Sequence, residues 1–390
     1  MCNMRIGLFT NYFTPSIGGI ETSVANLCKG LKRAGHETFV FSPQYPNWTD
    51  ENENNFRYKS VHFNYGGYFY VIPIPFFSKM NFVIKRLNLD IIHSHQPYSL
   101  GNEALKFSKK LNIPLVFTYH INYREYYHYI PFIPKSISQK YITKTTSTYS
   151  NKCDVVIAPS ISIKKLLLDH EVKAPIEIIP SGININEFIK SKGKKNEIRE
   201  RYGINPEDIV LITASRITDE KNIPFLIKSF SSIKKSCENS KFIIIGDGAA
   251  KKNLKKLTLK LDVYKDVFFT GLIKKEDVIS LFQASDIFIF SSLTETQCIV
   301  IIEAMISGLP VVAIKSNGIE DIIQNGKNGI LTENSVDEFS RSVLTIINDK
   351  ELKDKLSNKA NVYSKNYSIE LWVEKTIKLY NNLIFSNKTL

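Results

Sequence analysis

The sequence predicts an α/β protein with two parallel-sheet domains. Short apolar runs alternate with longer amphipathic stretches, the pattern of strand–helix–strand units. That alternation occurs in two series, separated by a polar, Lys- and Asn-rich segment at Lys190–Asn205. A chain of 390 residues is also long for a single core.

In the first series Arg5–Phe9 reads as a strand. Glu21–Ala34 has helical spacing and stops at Gly35, a suitable C-terminal cap. Thr38–Phe41 and Ile91–His93 are the next strands, Gly101–Leu111 is a helix, and Pro114–Thr118 is the strand that follows it. Asp154–Ala158 and Ile176–Ile179 complete it. In the second series the strands are Ile209–Ala214, Lys241–Ile245, Val267–Thr270, Asp286–Phe290 and Val311–Ala313. Helices intervene at Pro224–Lys235, Lys251–Leu261 and Lys275–Ala284. The expected domains are residues 1–182 and 183–367, with a boundary near Ser181–Lys195. The last segment, 368–390, holds a helical run with Trp372 that suits packing on either domain. Two such sheets suggest a ligand in a central cleft between their strand ends, which suits dehydrogenases, periplasmic-type binders and glycosyltransferases alike.

Fifty-one basic residues face 38 acidic ones, for a net charge of +13. The excess leans to residues 1–182, which also hold all seven histidines. It fits a nucleic acid, an anionic membrane or a phosphorylated ligand, and equally a Lys- and Asn-biased genome. The five cysteines form no C-x-x-C pair, so neither a zinc site nor a disulfide framework is expected. The N-terminus runs into a strand without a signal-peptide layout, and no apolar run approaches membrane-spanning length. The expected location is cytoplasmic, or peripheral on the inner face of the cell membrane.

Four clusters carry chemistry. Ser291–Gly308 places Glu295 before, and Glu303 within, an apolar helix-forming run that follows a buried strand. A helix that opens at a strand's carboxyl end offers free N–H groups to an anion, and flanking acids can grip sugar hydroxyls. The apolar neighbours of Glu303 make it a carboxylate in need of a partner, and ribose hydroxyls would serve. The second cluster, ASRITDEKN, sets Arg216 and Lys221 in one loop after a strand, a pair suited to clamping a diphosphate or simply to facing solvent. The third is PSIGGIE, where Gly18 and Gly19 would let a ligand approach a helix N-terminus. The fourth is His120 at a strand end, read as a lone and more often structural residue, with His93 and His95 as strand-end residues lacking a third metal ligand. The G-x-G-x-x-G fingerprint is absent from PSIGGIE and from IIIGDG at Gly246–Gly248, which lowers the dehydrogenase reading.

The spacing of Glu295 and Glu303 resembles the E-x7-E motif of retaining nucleotide-sugar glycosyltransferases of family 4. PSIGGIE, HSH, TYH, IAPS, IPSGIN, ASRITDEKN, IIIGDG, FTGLI, TETQCIVIIEAM and SGLPVVA stand in that family's order across nearly the whole chain. The resemblance implies the GT-B fold, two Rossmann-like domains with the C-terminal helix crossing back to the first. It implies that Arg216 and Lys221 contact the donor diphosphate, Glu295 and His120 the donor sugar, and Glu303 the ribose. Gly18, Gly19, Gly246, Gly248, Gly271, Leu272, Thr296, Gln297, Cys298 and Ile299 then belong to donor binding. One departure is Cys298, where the family usually has Gly; its side chain is expected to crowd the diphosphate amides, and its thiol to be acidic at a helix N-terminus.

No Asp-x-Asp pair occurs, so no metal or other cofactor is expected, and Arg216, Lys221 and helix amides would neutralise the leaving group. The resemblance implies retention by front-face attack without a covalent glycosyl-enzyme. Tyr119–Tyr149 interleaves tyrosines with Arg124, Lys135, Lys140 and Lys144, which suits an anionic membrane surface or a packed helical hairpin with a basic face. With TETQ, this segment looks like bacterial diacylglycerol glucosyltransferases, which use UDP-glucose at the inner leaflet. PSIGGIE is closer to family 4 members that build polysaccharides, so a polysaccharide, polyprenyl-linked glycan or soluble acceptor stays open. So does a non-catalytic nucleotide-sugar binder, whereas a nucleic-acid partner leaves the glutamates and the ordered loops without a use.

Overall fold

The protein is described from a computed structural model, over residues 3–16, 18–50, 52–65, 68–75, 80–129, 133–190 and 195–388. Ile17 in the glycine loop, residues 130–132 of the aromatic segment and 191–194 near the domain boundary lie outside the described residues. The chain divides into two compact units, Met1–Gly182 with Ile369–Leu390, and Ile183–Ser368.

Unit 1 begins β1 (Arg5–Phe9), α1 (Gly19–Arg33), β2 (Glu37–Pro43), β3 (Asn55–Tyr58), β4 (Ser60–Tyr65), β5 (Tyr68–Pro73), α2 (Met80–Arg86) and β6 (Ile91–Ser94). It continues with α3 (Leu100–Leu111), β7 (Leu115–Thr118), a 3-10 segment Tyr123–Tyr129, α4 (Lys135–Ser150), β8 (Val155–Ala158), α5 (Ile161–Asp169) and β9 (Ile176–Ile178). Seven strands form one parallel sheet in the order β3-β2-β1-β6-β7-β8-β9. Both faces of the central strands are covered, which is why they read as continuous apolar runs. Phe9, Ile92 and Phe117 point into one buried layer, Leu8, Ile91 and Val116 into the other. β4 and β5 pair separately as an antiparallel hairpin.

Unit 2 contains α6 (Ile185–Lys190), α7 (Lys195–Arg201), β10 (Ile209–Ala214), a 3-10 turn Asp219–Lys221, α8 (Ile223–Lys234), β11 (Ser240–Ile245), α9 (Lys251–Lys260) and β12 (Val267–Gly271). Next come α10 (Lys275–Ala284), β13 (Ile287–Phe290), α11 (Ile299–Ile306), β14 (Val311–Ile314), β15 (Ile330–Thr332), α12 (Val336–Asn348) and α13 (Lys350–Ser364). Its six strands are parallel in the order β12-β11-β10-β13-β14-β15. Side-chain caps start α12 and α13: Ser335 Oγ accepts from the Glu338 amide and Asp349 Oδ1 from the Leu352 amide.

The last helix, α14 (Ile369–Lys388), belongs to unit 1. Trp372, Val373 and Tyr380 are buried in the layer that holds Val24, Leu27 and Leu31 of α1. The contact is close: a Cβ on Gly30 would stand 2.4 Å from Val373 Cγ2. Only glycine lets α1 and α14 approach this far without a shift of one or the other.

Each sheet changes direction between two neighbouring strands, β1 and β6 in unit 1, β10 and β13 in unit 2. Loops leaving such a pair diverge and leave a crevice at the carboxyl ends, where ligands of open α/β sheets bind. The candidate residues collect at these two places.

Candidate functional site

At the β10/β13 switch point the loop 215–222 meets the loop 291–297. The Leu293 amide donates to Glu220 O at 3.0 Å, and Ser291 Oγ donates to Lys221 O at 2.9 Å. Ser316 Oγ, from the loop after β14, donates to Ser292 O at 2.9 Å. On this fixed frame Lys221 Nζ and Glu295 Oε1 pair at 2.6 Å, both side chains only 14% exposed. Arg216 is more open and lies 3.8 Å from Glu220 Oε1. The structure thus brings together three of the four residues expected to be catalytic, Arg216, Lys221 and Glu295, in unit 2; His120 lies in unit 1.

Gly246 and Gly248 serve the walls of this site. Gly246 has φ +127, and a Cβ on it would lie 1.9 Å from Ser215 O; one on Gly248 would lie 2.3 Å from Ile217 O. The two glycines therefore let the loop after β11 run against the loop that carries Arg216. Gly271 closes the same corner, its carbonyl accepting from the Gly246 amide at 3.1 Å, and Leu272 beside it is 76% exposed. A third close approach was not read from the sequence: a Cβ on Gly318 would lie 2.8 Å from Glu295 O.

The start of α11 corrects one expectation. Cys298 is the residue before the helix, with φ +53, a left-handed conformation that favours glycine. Its side chain is buried in the core with Ile301, Ile302 and Phe290, and its thiol accepts from the Ile301 amide in the first turn. The thiol is not acidic. Burial, and then the Glu295 carboxylate, push it well above the usual thiol range, which outweighs the helix N-terminus. Thr296 is partly exposed, Gln297 buried and Ile299 partly buried. Glu303 is 13% exposed at its side chain, and its partner is Lys275 at the start of α10, paired through Nζ and Oε1. The sequence reading named no protein partner for Glu303, because nothing in GLIKKEDV marks Lys275 as facing it.

At the β1/β6 switch point of unit 1, the N-terminus of α1 carries its own anion. Ser16 Oγ donates to Glu21 Oε1 at 2.7 Å, and Glu21 is buried. A Cβ on Gly18 would lie 2.5 Å from Glu21 Oε2, the movable end of a side chain, and Gly19 faces open space, so neither position demands glycine for room.

His120 is not alone. His95 Nδ1 lies 2.9 Å from His120 Nε2, and the rings of His93 and His95 stack at 4.3 Å. His93 Nε2 meets Thr118 Oγ1 at 2.7 Å and its Nδ1 meets Tyr380 Oη at 2.6 Å. Burial holds the imidazoles neutral, lowering His93 to about 3, His120 to about 4 and His95 well below the usual value. Among the described residues no group of three or more His, Cys, Asp or Glu is placed to hold a metal ion.

The aromatic segment is split by burial. Tyr119, Tyr123 and Tyr149 are core residues, packed on one another and on Tyr98 and Phe117, so these rings are not offered to a membrane. Apolar side chains have a far larger gain in the core than at the surface, and these three sit at the sheet's edge of it. The described exposed residues include a stripe along α4: Ile137, Lys140, Tyr141 and Lys144, at helical spacing, with Ile137 57% and Tyr141 64% exposed. Among the described residues no helix is long and apolar enough to cross a membrane.

Two parallel-sheet units, the second with a lysine–glutamate pair at its switch point, have the architecture of the GT-B fold. The description "Glycosyltransferase Family 4" matches residues 17–187 and "Glycosyl transferases group 1" residues 194–362. The alpha-monoglucosyldiacylglycerol synthase of Acholeplasma laidlawii is 34% identical over 98% of this chain and 98% of its own. The synthase of the same name from Streptococcus pneumoniae is 32% identical over 84% of this chain and 75% of its own. In fold, the chain matches sucrose-phosphate synthase from Thermosynechococcus elongatus with a TM-score of 0.82, 17% identity and coverage of 98% and 100%. It matches Anabaena HepE in complex with UDP with a TM-score of 0.76, 18% identity and coverage of 97% and 100%. The chain belongs to the family 4 glycosyltransferases, with a family 4 domain followed by a group 1 domain.

Proposed function

We propose that this enzyme transfers glucose from UDP-glucose to diacylglycerol with retention of configuration. The observation that carries this reading is the nearly full-length similarity to a synthase named for its alpha-monoglucosyldiacylglycerol product. An α-glucoside formed from the α-linked donor keeps its anomeric configuration.

The roles follow from charge and position. Lys221 and Arg216 meet the diphosphate, whose charge grows as the sugar leaves; the amides of Thr296–Ile299 add dipoles at the start of α11. Glu295, released from Lys221, accepts from sugar hydroxyls, and Glu303 accepts from the ribose. The family resemblance assigns His120, Gly18 and Gly19 to the donor as well. The acceptor oxygen attacks the anomeric carbon on the face from which UDP departs; the carbon–oxygen bond to phosphate breaks, and the acceptor's proton passes to the departing phosphate oxygen. No metal ion takes part in this scheme. The exposed Ile137–Lys144 stripe on α4 favours a peripheral position on an anionic inner leaflet, with rings and aliphatic chains inserted and lysines at the headgroups.

The test is product analysis: incubation with UDP-glucose and diacylglycerol in anionic vesicles gives UDP and an α-glucosyl lipid without added divalent metal. A β-linked product, or activity only with metal, would refute the mechanism.

A further inference from the structure

His120 is held through a file of aromatic rings that starts on α14. Tyr380 is fully buried on that helix, and its hydroxyl meets His93 Nδ1 at 2.6 Å with the two rings edge-on. His93 is clamped on its other side by Thr118, the last residue of β7. Its ring stacks on His95 at 4.3 Å, and the His95 ring stacks in turn on His120 at 5.2 Å. His95 and His120 are joined by the 2.9 Å contact between Nδ1 and Nε2. The His95 backbone is pinned as well, its amide donating to Phe9 O at 2.9 Å.

The tautomer follows from the unpaired atom. His95 is 1% exposed, and its Nε2 has no hydrogen-bond partner among the described residues. A neutral imidazole carries one proton. On Nε2 it would be a buried donor with nothing to bond, the costlier of the two omissions. On Nδ1 it is donated to His120 Nε2. His120 then carries its own proton on Nδ1. Burial keeps His93 and His95 neutral, so the arrangement holds across physiological pH.

We propose that His95 is the positioning residue of the glycosyl-transfer site, fixing both the ring orientation and the tautomer of His120 through a stack anchored by Tyr380 of the C-terminal helix. This rests on the reading of His120 as a donor-sugar contact. It assigns α14 a part in that contact besides its packing on α1.

The experiment is a double-mutant cycle on UDP release with UDP-glucose and diacylglycerol vesicles. His95→Phe keeps a ring but removes the hydrogen bond; His95→Asn returns an amide nitrogen near the place of Nδ1. The expected result is a fall in kcat of about 10²-fold for His95→Phe, the effect of a displacement near 1 Å at a reacting centre, with a smaller change in KM. His95→Asn recovers most of the loss, and in a His120→Ala background His95→Phe has no further effect. A folded His95→Phe enzyme with unchanged kcat, or one whose loss persists in the His120→Ala background, overturns the proposal while leaving the role of His120 intact. Wild-type kcat in His120→Ala removes that role and the proposal with it. If His95→Phe does not fold, Tyr380→Phe runs through the same cycle with the same criteria.

Discussion

At the residue scale, the proposed donor site is a set of charges already paired within the protein. Lys221 with Glu295 and Lys275 with Glu303 satisfy one another in the free enzyme. On the proposed reading, a bound nucleotide sugar would exchange both pairs for contacts with substrate, and truncating either lysine would leave a carboxylate to repel the diphosphate. Lys221→Ala is expected to lower kcat by about 10²–10³-fold, the range for losing one group that stabilises developing negative charge; steady-state UDP release measures it, and a loss confined to KM would contradict the assigned role. Cys298 gives a second prediction. Its backbone suits glycine and its thiol is buried with a raised pKa, so Cys298→Gly should retain activity, and iodoacetamide should label Cys237 well before Cys298 in the native protein. Rapid native labelling of Cys298 would contradict this. The sequence showed Arg216, Lys221, Glu295 and Glu303 by their spacing and by the family resemblance of the loops that carry them. It did not show Lys275 beside Glu303, Gly318 against Glu295, or, in unit 1, His95 beside His120, because packing between separate elements brings them together and no local pattern records it.

At the scale of elements, strands buried on both faces were legible because they are short apolar runs with abrupt polar ends. Arg5–Phe9, Ile209–Ala214 and the helix Lys275–Ala284 match the structure residue for residue. The hairpin β4–β5 was not read: it stands apart from the parallel sheet, and Val61, Phe63 and Ile72 remain exposed, so no strand–helix alternation announces it. β15 has three residues, and α13 buries only Leu356, Ala360 and Ser364 of its fifteen, too few for a strong periodic signal. Ion pairs add to the apolar packing that fastens α7 and α13 near β13. Asp286 receives Arg199 at 2.8 Å and Lys353 at 3.0 Å, and Arg199 is nearly buried. Asp286→Ala strands the guanidinium and should destabilise the protein by about 3–5 kcal/mol, read as a lower denaturation midpoint; an unchanged midpoint would contradict the burial of this pair.

At the scale of the whole molecule, the histidines tie stability to pH. His93, His95 and His120 have native pKa values lowered by burial, so unfolding takes up protons below the ordinary value near 6.5. Their contribution is fully present above that pH and is lost as pH falls toward about 3–4. The thermal midpoint should therefore drop between pH 7 and pH 5, before most carboxylates titrate; a flat profile would contradict the neutral stack. The family and its two α/β domains were legible from the ordered motifs, whereas the acceptor was not. Its chemistry rests on surface and shape; the burial of Tyr119, Tyr123 and Tyr149 removes these three rings from the candidate membrane contact and leaves the α4 stripe among the described residues. The most direct test of the central claim is UDP release from UDP-glucose with anionic vesicles, with and without diacylglycerol, beside a Glu295→Ala control. The account requires release that depends on diacylglycerol and is abolished by the substitution. Release indifferent to the lipid, or undiminished in Glu295→Ala, would contradict it.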